Sequence, residues 1–272
     1  MPPLVMGVLN VTPDSFSDGG DFAGDPAAAA AAAEQMVADG ADLIDVGGES
    51  TRPGSAPVPA DEQIRRVVPV LRQIVARVGG GVVISVDTTR ATVAAAAIDA
   101  GASVVNDVSA GRDDPVLLTT VAVRHVPLVL MHMLGTPATM QRDPAYADVT
   151  AEVTSFLLER LTAARAAGVA PHNLIVDPGI GFGKTLDHNL TLLRRLPYLA
   201  AATGVPVLVG TSRKKFVGTI TGEPVAKHRA FGTAATVAWA VANGAALVRV
   251  HDVRAMTQVV KMTRAIIRGE DK

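Results

Sequence analysis

VVISVDTTRATVAAAAIDAGASVVNDV, residues 82–108, holds one full turn of the pattern from which this chain is built. Val82–Asp87 is a short, unbroken β-branched run that ends on a carboxylate. Ala91–Ala100 is alanine-rich, free of Gly and Pro, and suits a helix, and Gly101 marks the place where that helix should stop. Ser103–Val108 then returns to β-formers and carries Asn106 near its end. Runs that are apolar throughout, rather than alternating, suit strands of a parallel sheet buried on both faces.

The same unit recurs on either side. Strand runs are expected at Leu4–Asn10, Asp42–Gly47, Val82–Asp87, Ser103–Val108, Pro127–His132, Asn173–Asp177, Pro206–Thr211 and Ala246–His251. Helix-compatible stretches lie between them, among them Pro26–Asp39, Asp61–Val78, Ala91–Ala100 and Val149–Ala167. Gly40, Gly101, Gly168, Gly204 and Gly244 stand where helices should end, and Asp25 before Pro26 reads as an N-cap. Such alternation with nothing left over predicts a closed α/β fold, a single (β/α)8 TIM barrel, rather than an open sheet. At 272 residues, the chain fits one barrel domain spanning 1–272, since such barrels take about 250 residues.

Composition narrows the function. A net charge of −1 gives no electrostatic footprint for nucleic acid. Without cysteine there are no disulfides, thiolate metal sites or thiol nucleophiles. The start, Met1-Pro2-Pro3-Leu4, passes directly into strand, and the first basic residue is Arg52, so a positively charged leader is not expected. No apolar stretch reaches the roughly 18 residues of a membrane span. The expectation is a cytoplasmic protein with no membrane partner.

Polar residues stand at the C-terminal ends of these strands: Asn10, Glu49, Asp87, Asn106, His132, Asp177, Ser212 and His251. One such residue is ordinarily a strand cap. Several in register, on strands that all end on one face, predict an active site at the C-terminal mouth. Arg249 and His251, two apart on the last strand, point the same way and suit a multivalent anion such as a diphosphate; the bland alternative for Arg249 is a pair with a barrel carboxylate. The turn Gly210–Lys215 before a helix adds cations at the usual phosphate corner. Asp87, Asn106 and Asp177 sit in segments too apolar for surface. A carboxylate there can accept from the paired amino and ring N–H groups of a pterin or purine edge, although the three groups also suit a divalent metal. The Gly- and Pro-rich stretches 12–20 and 47–55, with Phe16 and Pro53 as apolar elements, read as covers for an aromatic ligand.

Those residues carry a family resemblance. GVLNVTPDSFSDGG (7–20) and DVGGESTRPG (45–54) resemble the two signatures of dihydropteroate synthases. Ser85–Thr88, Val105–Val108, Asp177–Lys184, Ser212–Lys214 and Arg249–Asp252 complete the set in order. The resemblance implies a transferase, the target of sulfonamides, that joins 6-hydroxymethyl-7,8-dihydropterin diphosphate to p-aminobenzoate. It implies pterin binding by Asp87, Asn106, Asp177 and Lys214, with Phe182 and Met131 as walls. Diphosphate would be held by Asn10, Thr51, Arg249 and His251, with Asn10 also on a Mg2+ ion. Phe16, Thr51, Arg52, Pro53 and Lys215 would complete the p-aminobenzoate site, Lys215 standing where many relatives carry Ser. Asp87, Lys214 and Arg52 would serve the chemistry, and the family habit implies a homodimer. Two rival readings are a methyltetrahydrofolate-dependent methyltransferase on the same barrel and a non-catalytic pterin-binding paralogue.

Overall fold

The computed structural model describes residues 2–12 and 25–269. Its eight strands are β1 (Leu4–Asn10), β2 (Leu43–Gly47), β3 (Val83–Asp87), β4 (Val104–Asp107), β5 (Leu128–Met131), β6 (Leu174–Asp177), β7 (Leu208–Val209) and β8 (Leu247–Val250). All named pairings are parallel, in the order β6-β5-β4-β3-β2-β1-β8-β7. The ring is completed by one isolated parallel bridge, Val176 to Val207, with the Val176 N–H donating to Pro206 O at 3.0 Å. Each strand lies within one residue of its expected ends except β7, which is two shorter at both ends. At its start the reason is local: Pro206 has no N–H to give the ladder, so it can only accept.

The helices that cross outside are α1 (Pro26–Ala38), α2 (Ala60–Val78), α3 (Ala91–Asp99), α4 (Val116–Arg124), α5 (Val149–Ala166), α6 (Leu186–Arg194), α7 (Leu196–Thr203), α8 (Lys215–Thr221), α9 (Ala230–Ala242) and α10 (Val253–Arg268). Asp25 caps α1 as expected, accepting from the N–H groups of Ala27 and Ala28 at 3.0 and 2.9 Å. The five glycines read as helix ends all take positive φ. Two crossovers depart from one helix per strand: Pro197 in the first turn of α7 restarts the chain after α6, and α8 precedes α9.

Side-chain alternation divides the strands into two cores. Outward residues such as Val5, Ile44, Val86, Leu130 and Val248 meet the helices. Inward residues Met6, Leu43, Val104, Val129, Leu208 and Leu247 fill the barrel bottom as an apolar floor. A fully buried aliphatic side chain contributes roughly 1.5–3 kcal/mol, so this floor is a firm platform. Two residues further along three of these strands, facing the same way, Asp45, Asn106 and Arg249 take over from Leu43, Val104 and Leu247, and on β6 Asp177 follows Ile175. Strand geometry alone therefore stacks a polar layer on an apolar one.

Candidate active site

The polar layer is interlocked. Asp45, fully buried on β2, accepts on one carboxylate oxygen from Arg249 Nε at 2.7 Å and Asn106 Nδ2 at 2.9 Å. Arg249 Nη2 also donates to Asp87 Oδ2 at 2.9 Å. The guanidinium lies between barrel carboxylates, which is the alternative sequence reading of Arg249; its Nη1 is not used by these pairs. Burial works against the charge of Arg249, but Asp45 and Asp87 outweigh it and hold it firmly protonated. Burial pushes the Asp87 carboxyl up to about 7, against the pull of Arg249 and with help from Asp45.

Asp177 closes β6, and its Oδ1 accepts from the Gly179 N–H at 2.7 Å. Gly179 has φ +66°, and a Cβ there would lie 1.9 Å from the His132 carbonyl, so only glycine lets this turn pass the end of β5. Burial raises the Asp177 carboxyl despite Lys214 and Lys184 nearby. Lys214 follows β7 and reaches the Ile180 carbonyl, with its ammonium 4.6 Å from the centre of the Phe182 ring. Burial lowers Lys214 to about 8, with Asp177 opposing. Phe182 lies against the small cluster of Val108, Met131, Met133 and Met140, an apolar wall beside the polar layer.

Asn10 ends β1 across a gap from Asp87. A Cβ on Gly47 would sit 3.4 Å from Asn10 Oδ1 and 3.6 Å from Asp87 Cβ. Gly210 leaves similar room beside Arg249 and Lys214. His251 Nδ1 is 2.9 Å from Ser212 Oγ, which also accepts from the His251 N–H at 3.1 Å. A ring with its proton on Nε2 satisfies both contacts.

Some assignments change. Of the cationic run after β7, Arg213 takes positive φ and donates twice to Asp252, at 2.6 and 3.1 Å, so part of its role is to clamp the turn that aims Lys214. Lys215 begins α8 and is exposed. Two strand-end residues turn away from the mouth. Glu49 accepts from Val58 N and Gln63 Nε2, bracing the loop after β2. His132 Nδ1 meets Lys184 Nζ at 2.9 Å behind the Phe182 loop, and Lys184 also donates to Phe182 O at 3.0 Å. Burial holds His132 neutral, lowered to about 3, and brings Lys184 down to about 7. Thr51, Arg52 and Pro53 ride on the β2 loop, whose turn Ser55 ties to the carbonyls of Ser50 and Arg52. The Gly54 N–H donates to Pro137 O at 3.1 Å, joining this loop to the segment after β5. Phe16 lies outside the described residues.

Asp45, Lys184, His132 and the wholly buried Gln63 were not singled out from sequence for these roles. Gln63 on α2 donates to Glu49 and Val58 O and accepts from Thr88, joining loop, helix and β3. Among the described residues, no group of three or more His, Asp or Glu side chains could hold a metal unaided.

Residues 6–251 match the family model for pterin-binding enzymes. Dihydropteroate synthase from Synechocystis sp. is 47% identical over 264 residues, covering 97% of this chain and 90% of its own. The chain belongs to the dihydropteroate synthases. Two solved Xanthomonas albilineans dihydropteroate synthase structures agree in fold. One, with 4-aminobenzoic acid, has a TM-score of 0.90 at 46% identity, covering 99% of this chain and 94% of that one. The other, in complex with 7,8-dihydropteroate, has a TM-score of 0.87 at 43% identity, covering 99% and 95%. As a dihydropteroate synthase the protein is a transferase, forming dihydropteroate and pyrophosphate from the pterin diphosphate and p-aminobenzoate. No helix among the described residues is long and apolar enough to cross a membrane.

Proposed function

We propose that the polar layer divides the synthase reaction into a pterin end and a leaving-group end. Asp177 and Asn106 read the pterin's donor edge, while Lys214, Phe182 and Met131 enclose the ring. Asp87 lies below it. Arg249 and His251 face the diphosphate, Arg249 through the nitrogen not held by the barrel and His251 through Nε2–H. The reading rests on one observation above all. Strand alternation brings Asp87, Asn106, Asp177, Arg249 and His251 to one mouth, over a dry floor and beside gaps left by Gly47 and Gly210.

The bond between the pterin methylene carbon and the diphosphate oxygen breaks first, and its electron pair leaves with pyrophosphate. Arg249 and His251 stabilise the charge gathering on that oxygen. The cation left on carbon spreads into the pterin, where ionised Asp87 stabilises it. The neutral arylamine then supplies the electron pair of the new C–N bond and loses a proton. Thr51, Arg52 and Pro53, with Phe16 and the exposed Lys215, complete the p-aminobenzoate site. The donor set fits Mg2+ held mainly by diphosphate: Asn10 Oδ1 stands at the gap, and such ions keep water and phosphate oxygens around one or two protein ligands. When bound there, Mg2+ supplies charge neutralisation of the leaving group.

The protein is also proposed to work as a homodimer in the cytoplasm. Neighbouring α9 and α10 turn Phe231, Met262 and Ile266 to solvent, an apolar surface suited to a second copy. Phe231→Asp should shift the sedimenting species toward monomer; an unchanged species assigns the surface elsewhere. The central test is pyrophosphate release measured with each substrate alone and both together. Release that needs both, at equal yield with dihydropteroate, is expected. Absence of release with both present would overturn the reading.

A further inference from the structure

Asp45 stands apart from the strand-end carboxylates Asp87 and Asp177. It sits in the middle of β2, fully buried, below the residues that face the mouth. Its Oδ2 alone receives the Nδ2–H of Asn106 from β4 and the Nε–H of Arg249 from β8. Arg249 carries the chain of contacts on to Asp87 on β3. Resting on the proposed roles of Asn106 and Arg249, we infer that Asp45 is a positioning residue coupling pterin recognition to pyrophosphate recognition, through the oxygen shared by the two.

Stability is a poor account of the arrangement. Desolvating a buried ion pair consumes most of what its attraction returns. Here the expense is larger, because Asp45 Oδ1 and the hydroxyl of Ser85, its register neighbour on β3, have no hydrogen-bond partner among the described residues. An unpaired buried polar atom costs about 1–3 kcal/mol. What the carboxylate does supply is geometry. The bond from Asn106 Nδ2 fixes which way its amide faces, leaving Oδ1 and the second N–H for a ligand edge. The bond from Arg249 Nε fixes the plane of the guanidinium, and hence the direction of Nη1. An anion that draws Arg249 upward acts on the same oxygen that orients Asn106. Whichever ligand arrives first fixes the shared network, and the second then binds with less ordering left to do; the coupling is reciprocal.

The test is calorimetric titration of the intact protein with 6-hydroxymethylpterin, with and without saturating inorganic pyrophosphate and Mg2+. The ratio of the two pterin affinities reads the coupling. In the unmodified protein the ratio should be at least about fivefold, the lower end of ordinary coupling energies. In Asp45→Asn each ligand should bind more weakly and the ratio should fall to near one. A general loss of structure would weaken both affinities without selectively removing their ratio. Should Asp45→Asn fail to fold, Asp45→Glu is measured instead: it keeps the charge but displaces the oxygen that Asn106 and Arg249 share, so the ratio should again collapse. A ratio near one in the unmodified protein, or one that survives either substitution, overturns the inference while leaving the synthase reading intact. Failure of both ligands to bind the unmodified protein would overturn both.

Discussion

Asp177 and Arg52 are both assigned to ligands, yet the protein holds them in opposite ways. Asp177 ends a strand, is buried, and is fixed by the Gly179 N–H beside Lys214 and Lys184. Arg52 is exposed on a loop braced by Ser55 across the turn and by Gln63 and Arg66 of α2 at its base. Its tie to the rest of the mouth includes the single backbone bond from Gly54 to Pro137. A rigid mouth can recognise the first substrate unaided. A loop braced from its base can close over it and finish the second site without disturbing the first.

The largest expected effect breaks the rigid side. Asp177→Asn turns an amide NH2 toward the ligand's own donors and removes the counter-charge of the buried Lys184 and the half-buried Lys214. Pterin affinity measured by calorimetry should fall by about a hundredfold or more, the equivalent of roughly 3 kcal/mol for a charged hydrogen-bonding group. Near-normal affinity would remove Asp177 from pterin recognition.

Arg52→Ala separates the two regions. Its effect should be about tenfold or more on turnover and on apparent p-aminobenzoate affinity, the scale of one lost charge-assisted bond. Pterin affinity should stay within about twofold, as is usual for exposed positions remote from a site's contacts. A pterin loss as deep as that of Asp177→Asn would make the loop part of the rigid pocket.

A third measurement sharpens the rigid side through pH. Asp87 must be ionised, and burial has raised it to about 7; Lys214 must be protonated, and burial has lowered it to about 8. Activity should therefore fall as pH drops through the first value and as it rises through the second. The free enzyme's kcat/KM should form a narrow bell between them. Asp87→Asn should abolish the acid limb of whatever activity remains, and an acid limb unchanged in that variant would assign it to another group.

The smallest effect concerns the loop's anchor. Gly54 has φ +83° with open space around it, so Gly54→Ala introduces backbone strain without a clash. Of order 1 kcal/mol of strain should raise the KM for p-aminobenzoate by about fivefold and leave pterin binding alone. An unchanged KM would show that this bond does not hold the closed loop.

The barrel itself was legible because its strands are short runs rich in Val, Ile and Leu, and strand ends are where a barrel puts its chemistry. The assigned mouth residues Asp87, Asn106, Asp177 and His251 all sit at such ends. Asp45 escaped because it lies mid-run, in LIDVG, where a polar residue interrupts the pattern without ending it. Its signal was available, since a carboxylate on an inward, buried strand position needs a cation or amide partner. The Lys184–His132 pair spans 52 positions, and nothing in spacing joins them. Gln63 occupies the apolar stripe of α2 with Val67, Val70 and Ile74, where only the fold reveals what its amide reaches. The start of the shortened β7 and the split between α6 and α7 turned on Pro206 and Pro197, residues whose effect depends on what each faces.

The isolated bridge that closes the ring has a consequence for how the barrel breathes. Where other neighbouring strands share a ladder, among the described residues β6 meets the β7 side through the isolated bridge Val176–Val207, and the Val176 amide donates to Pro206 across that join. The join is a seam, and Asp177 stands on one lip of it while Lys214 follows the other. A pterin gripped by both would stitch the lips together from above. Amide hydrogen exchange at Val176 should then slow when pterin binds, more than at Val105 or Val129, whose strands are laced on both sides by continuous ladders. In that sense substrate is the last stave of the barrel.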